Sequence, residues 1–270
     1  PLPFTPGGEL CGEVEAVGTG VSGFKIGDRV ATGTAGAGCY AEIRNIDADK
    51  LVKVPKEIPN DIAAAMMLQG MTVQFLIRQV YRVKKGDTIL IHAAAGGVGT
   101  ILCQWAAHLG ATVIGTVGSP GKARLAKAHG CDYPIIYSRE NFVDRVRKIT
   151  KGEMLPVVYD SIGKATWPAS LDCLQQRGLF VTFGNASGPI PPIDPLTLSS
   201  KGSLVMTRPT LFHFADTPER MRRMAGDVMK VIKSGAVKIE VNHKYSLREA
   251  ARAHRDLAAR KTTGSIILEP

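Results

Sequence analysis

A run of small residues between two apolar segments is the part of the sequence best suited to chemistry. Segment 88–92 (TILIH) reads as a buried strand, and small residues fill the turn after it. The apolar residues that follow recur at helical spacing: Val98, Ile101, Leu102, Trp105 and Leu109. The turn departs from the usual G-x-G-x-x-G spacing and has A-x-x-G-x-x-G instead, at Ala93, Gly96 and Gly99. Glycines admit a phosphate close to the backbone, and a helix N-terminus offers N–H donors. The segment therefore predicts a site for a nucleotide pyrophosphate, although such a turn can also be purely structural.

Residues beyond the next strand indicate which nucleotide is bound. Folds that bind NAD place an acidic residue about 20 residues after the first glycine, on the ribose 2′-hydroxyl. This sequence has no acidic residue between Gly96 and Asp132. Ser119, Lys122 and Arg124 lie instead at or just past the strand end. These side chains suit a 2′-phosphate, so we expect NADPH, the alternative being that Lys122 only lies on the exposed face of the next helix.

Later strand ends contribute further candidates. Tyr137 closes segment 134–137 and could stack or hydrogen-bond near the ribose phosphate. Ser161 and Gly163 follow the fourth strand, and "FGN" at 183–185 follows the fifth, where backbone groups could reach the nicotinamide end. Each of these residues could equally be a packing or turn residue.

The elements that must position these residues alternate regularly. Six apolar segments read as strands: TILIH, TVIGTV, PIIYS, VVYDS, GLFVTFG and SLVMTR. Helical patterns lie between most of them, including 140–150 and 164–177. This alternation predicts an α/β fold with a doubly wound, parallel, six-stranded Rossmann sheet that is buried on both faces.

The flanking regions follow a different pattern. Residues 1 to about 70 are rich in glycine and short β-like runs, such as 12–18 and 39–45, and predict a small, mostly β domain. A helical pattern begins near Asp61. Another helix is expected from Thr217–Pro218 to Gly235, followed by a strand at 238–246, a helix, and a last strand at 265–269.

Composition limits the class of protein. The 270 residues carry a net charge of +10, and no apolar run approaches the length of about 20 residues that a membrane-spanning helix needs. Basic residues gather at 219–235 and 248–261, where apolar residues at helical spacing favour solvated outer faces over a nucleic-acid surface. Five widely spaced cysteines favour a reducing compartment, which predicts a cytoplasmic protein. The chain opens without methionine inside what reads as folded sequence, so we expect its true start to lie upstream.

Taken together, several segments resemble one family. They are 93–99 (AAAGGVG), 115–123 (GTVGSPGKA), 157–163 (VVYDSIG), 171–178 (LDCLQQRG), 183–188 (FGNASG) and 201–209 (KGSLVMTRP). The chain resembles, over essentially its whole length, the zeta-crystallin-like NADPH:quinone oxidoreductases of the medium-chain dehydrogenase/reductase superfamily. The resemblance implies a homodimer and a split GroES-like catalytic domain, 1–70 and 211–270, incomplete at its N-terminus. It places a dinucleotide-binding domain at 71–210.

The resemblance also implies a set of cofactor-binding residues. Thr72 and Phe75 would lie near the nicotinamide, and Gly97 and Val98 at the pyrophosphate. The 2′-phosphate would contact Ser119, Lys122 and Tyr137, and Gly118, just before Ser119, is also expected to bind the cofactor. Phe183, Gly184 and Arg208 would complete the cofactor cleft. Ser161 is expected to bind the cofactor because of its position after the fourth strand and not through the resemblance. No catalytic residue is assigned, because the family's substrate-pocket residues lie largely in the part that precedes this chain.

Metal ligands are not expected. Gly8 stands where zinc-dependent relatives carry a histidine ligand, and the cysteine cluster of their structural zinc is absent from the sequence. The six histidines, His92 among them, show no ligand spacing, and we interpret them as surface or packing residues. We therefore expect a zinc-independent enzyme.

The expected activity is transfer of reducing equivalents from NADPH to quinones or related conjugated carbonyls. A second hypothesis is that the protein is an enone or enoyl double-bond reductase that uses the same cofactor site. A third, from another class, is a crystallin-type structural or RNA-binding role, which the positive charge would favour.

Overall fold

The structure, a computed structural model, describes residues 2–259 and 261–270. It divides into two compact units. One unit combines the residues up to Phe75 with Leu211–Pro270, and the other is Leu76–Thr210.

The strands and helices run in the following order along the chain. The first part contains β1 (Leu10–Glu13), β2 (Arg29–Thr32), β3 (Val52–Lys53) and α1 (Asn60–Phe75). The second unit contains β4 (Thr88–Ile91), α2 (Gly97–His108), β5 (Thr112–Val117), α3 (Pro120–Ala128), β6 (Tyr133–Ile136), α4 (Phe142–Ile149), β7 (Leu155–Asp160), β8 (Leu174–Thr182), α5 (Leu196–Ser200) and β9 (Val205–Thr207). The last part contains α6 (Leu211–Phe214), α7 (Pro218–Lys233), β10 (Val241–Ser246), α8 (Ala250–Ala258) and β11 (Ser265–Glu269).

The second unit is built on one six-stranded sheet. Its strand order is β6-β5-β4-β7-β8-β9, and every neighbouring pair is parallel. Buried side chains of the strands and of α4 form a hydrophobic core that includes Leu90, Ile114, Ile135, Val146, Val158 and Phe180. Such apolar strands need cover on both faces, which the connecting helices provide. The predicted doubly wound parallel sheet is confirmed. The chain order reverses between β4 and β7, and ligands of open α/β sheets bind outside the carboxyl ends of strands at such a switch point.

The helix predicted at 164–177 is wrong. This stretch forms turns and one short 3₁₀ helix, Ala169–Cys173, and Leu174–Arg177 already belong to β8. Pro168 explains the difference, because proline lacks the N–H that a continuous helix needs and clashes with the preceding turn.

The first unit holds two small sheets. Strands β1, β2 and β3 form an antiparallel sheet, and β10 pairs with β11 in parallel. Helix α1 packs against α7, and a side chain at Gly70 would bring a Cβ within 2.6 Å of Val228 Cγ1. Segment 39–45, predicted as β-like, is irregular. There the Arg44 guanidinium donates to the carbonyl oxygens of Ala35 (3.0 Å) and Ala37 (2.9 Å). These two carbonyl groups are thus bonded by a side chain and not by a neighbouring strand.

Helix α7 has the ends that the sequence predicts. The Thr217 hydroxyl accepts a hydrogen bond from the Arg220 N–H at 3.2 Å, Pro218 is the first helical residue, and Gly235 after the helix has a φ of +76°. Its inner face is apolar, and exposed ion pairs such as Arg220–Asp216 lie outside. No helix within the described part of the chain is both long enough and apolar enough to span a bilayer.

Candidate functional site

The turn between β4 and α2 is exceptionally close-packed. Ala93 has a φ of +55°, and its carbonyl oxygen accepts a hydrogen bond from the Gly96 N–H at 2.8 Å. A Cβ placed on Gly99 would lie 2.2 Å from that same oxygen. Glycine at 99 is therefore needed for the first turn of α2 to rest on the turn that precedes it.

The start of α2 is bare of side chains that could compete with a ligand. Gly96 is the N-cap, is exposed, and makes no side-chain cap, while Gly97 and Val98 in the first turn are half-buried. Backbone N–H groups at such a terminus lack intrahelical acceptors and attract anions. This terminus lies at the switch point of the sheet, so it fits a pyrophosphate.

Four of the predicted cofactor-binding residues, Gly118, Ser119, Lys122 and Tyr137, come together at the ends of β5 and β6. The Ser119 hydroxyl accepts a hydrogen bond from the Lys122 N–H at 3.3 Å and so caps α3. A Cβ on Gly118 would lie 2.8 Å from Tyr137 Oη, so the tyrosine lies directly over this glycine. Capping alone would account for Ser119, but its hydroxyl hydrogen is left to donate elsewhere. Two hydroxyl groups and an exposed lysine beside a helix N-terminus suit a phosphate dianion.

The loops after β7 and β8 lie against each other. The Phe183 N–H donates to the Asp160 carbonyl oxygen at 2.8 Å, and a Cβ on Gly184 would lie 2.6 Å from the Ser161 carbonyl oxygen. The structure therefore brings Ser161, Phe183 and Gly184 together. Arg208 follows β9, is exposed, and donates to the Pro209 carbonyl oxygen at 3.1 Å.

Thr72 and Phe75 belong to the other unit, on α1. The Thr72 hydroxyl donates to the Leu68 carbonyl oxygen at 2.7 Å. Phe75 is only 1% exposed, and its ring stacks on Phe214 with the centroids 4.6 Å apart. In this structure the Phe75 ring is thus a packing group of its own unit.

Sequence reasoning missed a buried polar network beneath the glycine turn. His92, the residue between β4 and Ala93, is 1% exposed. Its Nδ1 lies 2.8 Å from the Thr116 hydroxyl, and its Nε2 lies 2.9 Å from the Ser170 hydroxyl. Ser170 in turn reaches the buried Asp160 carboxylate at 3.3 Å. The network joins the carboxyl ends of three adjacent strands, β4, β5 and β7.

The donors and acceptors of this network fix the tautomer of the His92 imidazole. Asp160 also accepts hydrogen bonds from the Ile162 and Gly163 N–H groups at 2.7 and 3.0 Å, so it acts as an acceptor throughout. The Ser170 hydroxyl can donate its one hydrogen to the Thr166 carbonyl oxygen at 3.0 Å or to the Asp160 carboxylate at 3.3 Å. In either case it accepts from His92 Nε2–H, and Nδ1 then accepts from Thr116. A neutral imidazole satisfies every partner. Burial lowers the pKa of His92, which the nearby Asp160 carboxylate opposes.

One sequence signal could have revealed this network. A histidine between a wholly apolar strand and a turn of small residues has no route to solvent, so it requires buried partners. The hydroxyl of Thr116 on the neighbouring strand and Asp160 at the end of a third strand were available as those partners. The lack of metal-ligand spacing, which all six histidines share, does not distinguish His92 from the other five.

Metal ligands do not gather in the structure. Within residues 2–259 and 261–270, no group of three or more His, Cys, Asp or Glu residues is placed to hold a metal ion. The five cysteines are free thiols.

Comparison with known proteins places this architecture in a family. Residues 1–56 match the alcohol dehydrogenase GroES-like domain, and residues 97–226 match the zinc-binding dehydrogenase domain. A quinone oxidoreductase from Pseudomonas aeruginosa is 54% identical over 269 residues, which cover 100% of this chain and 83% of that protein. The chain belongs to the quinone oxidoreductase family, within the medium-chain dehydrogenase/reductase superfamily.

Two further relatives of the chain extend the comparison. The structure of Escherichia coli quinone oxidoreductase complexed with NADPH superposes with a TM-score of 0.97 at 45% identity, covering 100% of this chain and 83% of that one. A 2-haloacrylate reductase from a Burkholderia species is also 45% identical, covering 99% of this chain and 81% of the relative. The quinone oxidoreductase family therefore has near relatives named for two different substrate classes.

Proposed function

We propose that this chain is an NADPH-dependent reductase of quinones and related conjugated carbonyl compounds. The observation that carries the proposal is its likeness to the NADPH complex of the E. coli quinone oxidoreductase, at a TM-score of 0.97. The geometry supports it independently, because the bare start of α2 and the group at the ends of β5 and β6 fit the two phosphate positions of NADPH.

We assign the cofactor's phosphates to this second unit. Gly97 and Val98 would donate backbone N–H groups to the pyrophosphate. The 2′-phosphate would be held by a group whose members already lie together: Gly118, Ser119, Lys122 and Tyr137. Lys122 supplies the charge, and the two hydroxyl groups supply donors.

The remaining predicted residues complete the proposal. The loops that carry Ser161, Phe183 and Gly184 would border the nicotinamide end of the cofactor, and Arg208 would contribute a cation. Thr72 and the backbone of Phe75 would also contact the nicotinamide. We further propose that residues 1–70 with 211–270 form the GroES-like catalytic domain and that residues 71–210 form the dinucleotide-binding domain. The buried Phe75 ring would then keep the end of α1 rigid.

The chemistry asks little of the side chains beyond position. NADPH, when bound, supplies a hydride. The chain's own residues hold the phosphates, fix the orientation of the ring and restrict access of water, and well-oriented reactants gain several kcal/mol over free collision.

A double-bond reductase is the second candidate, because the 2-haloacrylate reductase is 45% identical. NADPH oxidation by the purified protein, followed with a panel of quinones and a matched panel of conjugated enones and 2-haloacrylates, separates the two. We expect kcat/KM for the best quinone to exceed that of the best enone. The reverse order would assign the chain to double-bond reduction.

We further infer a cytoplasmic homodimer. The free thiols suit a reducing compartment. Strand β9 is an edge of the six-stranded sheet, and its Val205 is 53% exposed, which suits edge-to-edge pairing with a second copy. Sedimentation of the purified protein would report the mass of one chain if this inference were wrong.

A further inference from the structure

The buried polar network under the glycine turn crosses the switch point of the six-stranded sheet. His92 follows β4 and Asp160 ends β7, the two strands between which the chain order reverses. The hydroxyl of Ser170, buried like both of these side chains, lies 2.9 Å from His92 Nε2 and 3.3 Å from the Asp160 carboxylate. Folds of this class bind a dinucleotide across the crevice outside this point. The network therefore joins the two sides of that crevice.

The alternation of side chains along the strands explains why polar groups lie at this edge. Residues two positions apart in a strand face the same side of a sheet. His92, Thr116 and Asp160 each come two positions after a residue of the hydrophobic core, namely Leu90, Ile114 and Val158 in that order. This face of the sheet thus ends in a polar layer, which separates the core from the carboxyl ends of the strands.

The Asp160 carboxylate also shapes the loop after β7. Its Oδ1 accepts hydrogen bonds from the Ile162 and Gly163 N–H groups at 2.7 and 3.0 Å, and its Oδ2 lies 2.6 Å from Thr166 Oγ1. This loop carries the loop after β8, because Ser187 donates to the Ile162 carbonyl oxygen from both its N–H and its hydroxyl, each at 2.8 Å. One buried side chain therefore holds the β7 side of the crevice in one conformation.

Ser170 connects that loop to the glycine turn whichever hydrogen bond it donates. Its two possible acceptors, the Thr166 carbonyl oxygen and the Asp160 carboxylate, both belong to the β7 side. In both cases its oxygen accepts from His92 Nε2–H, and His92 is bonded directly to Ala93, the first residue of the glycine turn. Ser170 thus sets the position of the loop relative to the turn.

We propose that Asp160 and Ser170 are positioning residues for NADPH, an inference that rests on the proposed function. Both side chains are buried, so they act through the loop after β7 and the glycine turn. They hold these two segments at the separation that an intact dinucleotide requires. A ligand that spans both sides gains affinity because neither segment has to be ordered when it binds. A ligand that occupies one side does not depend on this separation.

Two ligands therefore distinguish positioning from a general loss of structure. NADPH spans the crevice, whereas adenosine 2′,5′-bisphosphate has the same adenosine and 2′-phosphate but lacks the nicotinamide half. Asp160→Ala leaves the Ile162 and Gly163 N–H groups without their acceptor, so the Kd of NADPH should rise by about tenfold or more and that of the bisphosphate by less than about twofold. Ser170→Ala should raise only the Kd of NADPH, by about threefold to tenfold. Isothermal titration calorimetry measures both Kd values.

Two further variants serve as controls. In Asp160→Asn the side-chain oxygen still accepts from the two loop N–H groups, and the amide donates to the hydroxyl oxygens of Thr166 and Ser170. These hydroxyl groups can then donate to the carbonyl oxygens of Gly163 and Thr166, so the Kd of NADPH should stay within about threefold of wild type. Val146→Ala creates a cavity in the same hydrophobic core without removing a hydrogen bond, and should leave both Kd values unchanged.

An unchanged Kd of NADPH in both Asp160→Ala and Ser170→Ala would overturn the proposal. Equal losses of affinity for the two ligands would overturn it too, as would a loss in Asp160→Asn as large as that in Asp160→Ala. If urea unfolding shows that Asp160→Ala does not fold, the selective loss in Ser170→Ala decides alone. Absence of NADPH oxidation by the wild type with any quinone or enone would instead overturn the proposed function, and the two Kd values would still decide this proposal.

Discussion

At the ends of β5 and β6, a serine, a lysine and a tyrosine occupy the region where NAD-binding folds carry an acidic residue. Ser119 caps α3 through the Lys122 backbone N–H, and Tyr137 covers Gly118, so the fold positions the serine and tyrosine side chains before any ligand binds. Lys122 is exposed, so its ammonium group can pair with a phosphate. This residue should therefore decide between the two nicotinamide cofactors.

Lys122→Ala tests this selectivity directly. A hydrogen bond to a charged group contributes roughly 1.5–3 kcal/mol, so NADPH affinity should fall by about tenfold to a hundredfold while NADH affinity hardly changes. Titration of both cofactors by fluorescence measures it. Lys127→Ala, on the exposed last turn of the same helix, is the matched control and should leave both affinities unchanged. Equal losses for NADPH and NADH would remove Lys122 from the 2′-phosphate site.

His92 should make stability depend on pH. Burial lowers its pKa in the folded chain, whereas the unfolded chain has an ordinary value near 6.5. As the pH falls below about 6.5 the unfolded chain takes up a proton first, so the stability that neutral His92 contributes is complete above that pH and is lost below it. In His92→Gln this titration is absent. The variant should be about 1–3 kcal/mol less stable than wild type at pH 7.5, with a smaller difference at pH 5.5.

Urea unfolding at the two pH values measures this effect. His108→Gln, which changes an exposed histidine at the end of α2, should reproduce the wild-type pH dependence. A wild-type advantage over His92→Gln that is the same at pH 5.5 and 7.5 would show that His92 acts through packing alone.

Among the elements, the β4–α2 junction is the one whose geometry is most tightly set. A Cβ on Gly99 would lie 2.2 Å from the Ala93 carbonyl oxygen, so Gly99→Ala must displace the start of α2. We expect NADPH binding to weaken by more than about tenfold, together with a loss of stability on the order of 1–3 kcal/mol. Gly226→Ala, in the interior of α7 with no atom within 4 Å of the new Cβ, should instead be neutral or stabilising. Wild-type NADPH affinity in Gly99→Ala, measured by titration, would mean that the turn does not shape the site.

The elements also show what sequence can and cannot predict. The β4–α2 junction was predictable because strand, small-residue turn and helical stripe occur consecutively in the chain. The absence of acidic residues up to Asp132 was equally local. Segment 164–177 was not predictable from periodicity, because Pro168 overrides an apolar spacing that suits a helix. The environment of His92 depends on Ser170, 78 positions away in the sequence, so only the assembled fold shows it.

For the whole molecule, the absence of metal ligands gives a clear expectation. Gly8 offers no side-chain ligand, and the described residues contain no group placed to bind a metal ion. The purified protein should therefore contain no stoichiometric zinc by elemental analysis, and a chelator should leave NADPH oxidation intact. One tightly held zinc per chain, or loss of turnover with the chelator, would contradict this expectation.

The central claim is that this chain reduces a quinone with NADPH through a site that selects the 2′-phosphate. The most direct measurement is kcat/KM for NADPH and for NADH with one quinone, at one pH and one ionic strength, on the same preparation. Since one charged hydrogen bond contributes roughly 1.5–3 kcal/mol, we predict a preference for NADPH of at least about tenfold. Equal values for the two cofactors, a preference for NADH, or no quinone-dependent oxidation of either would contradict the claim.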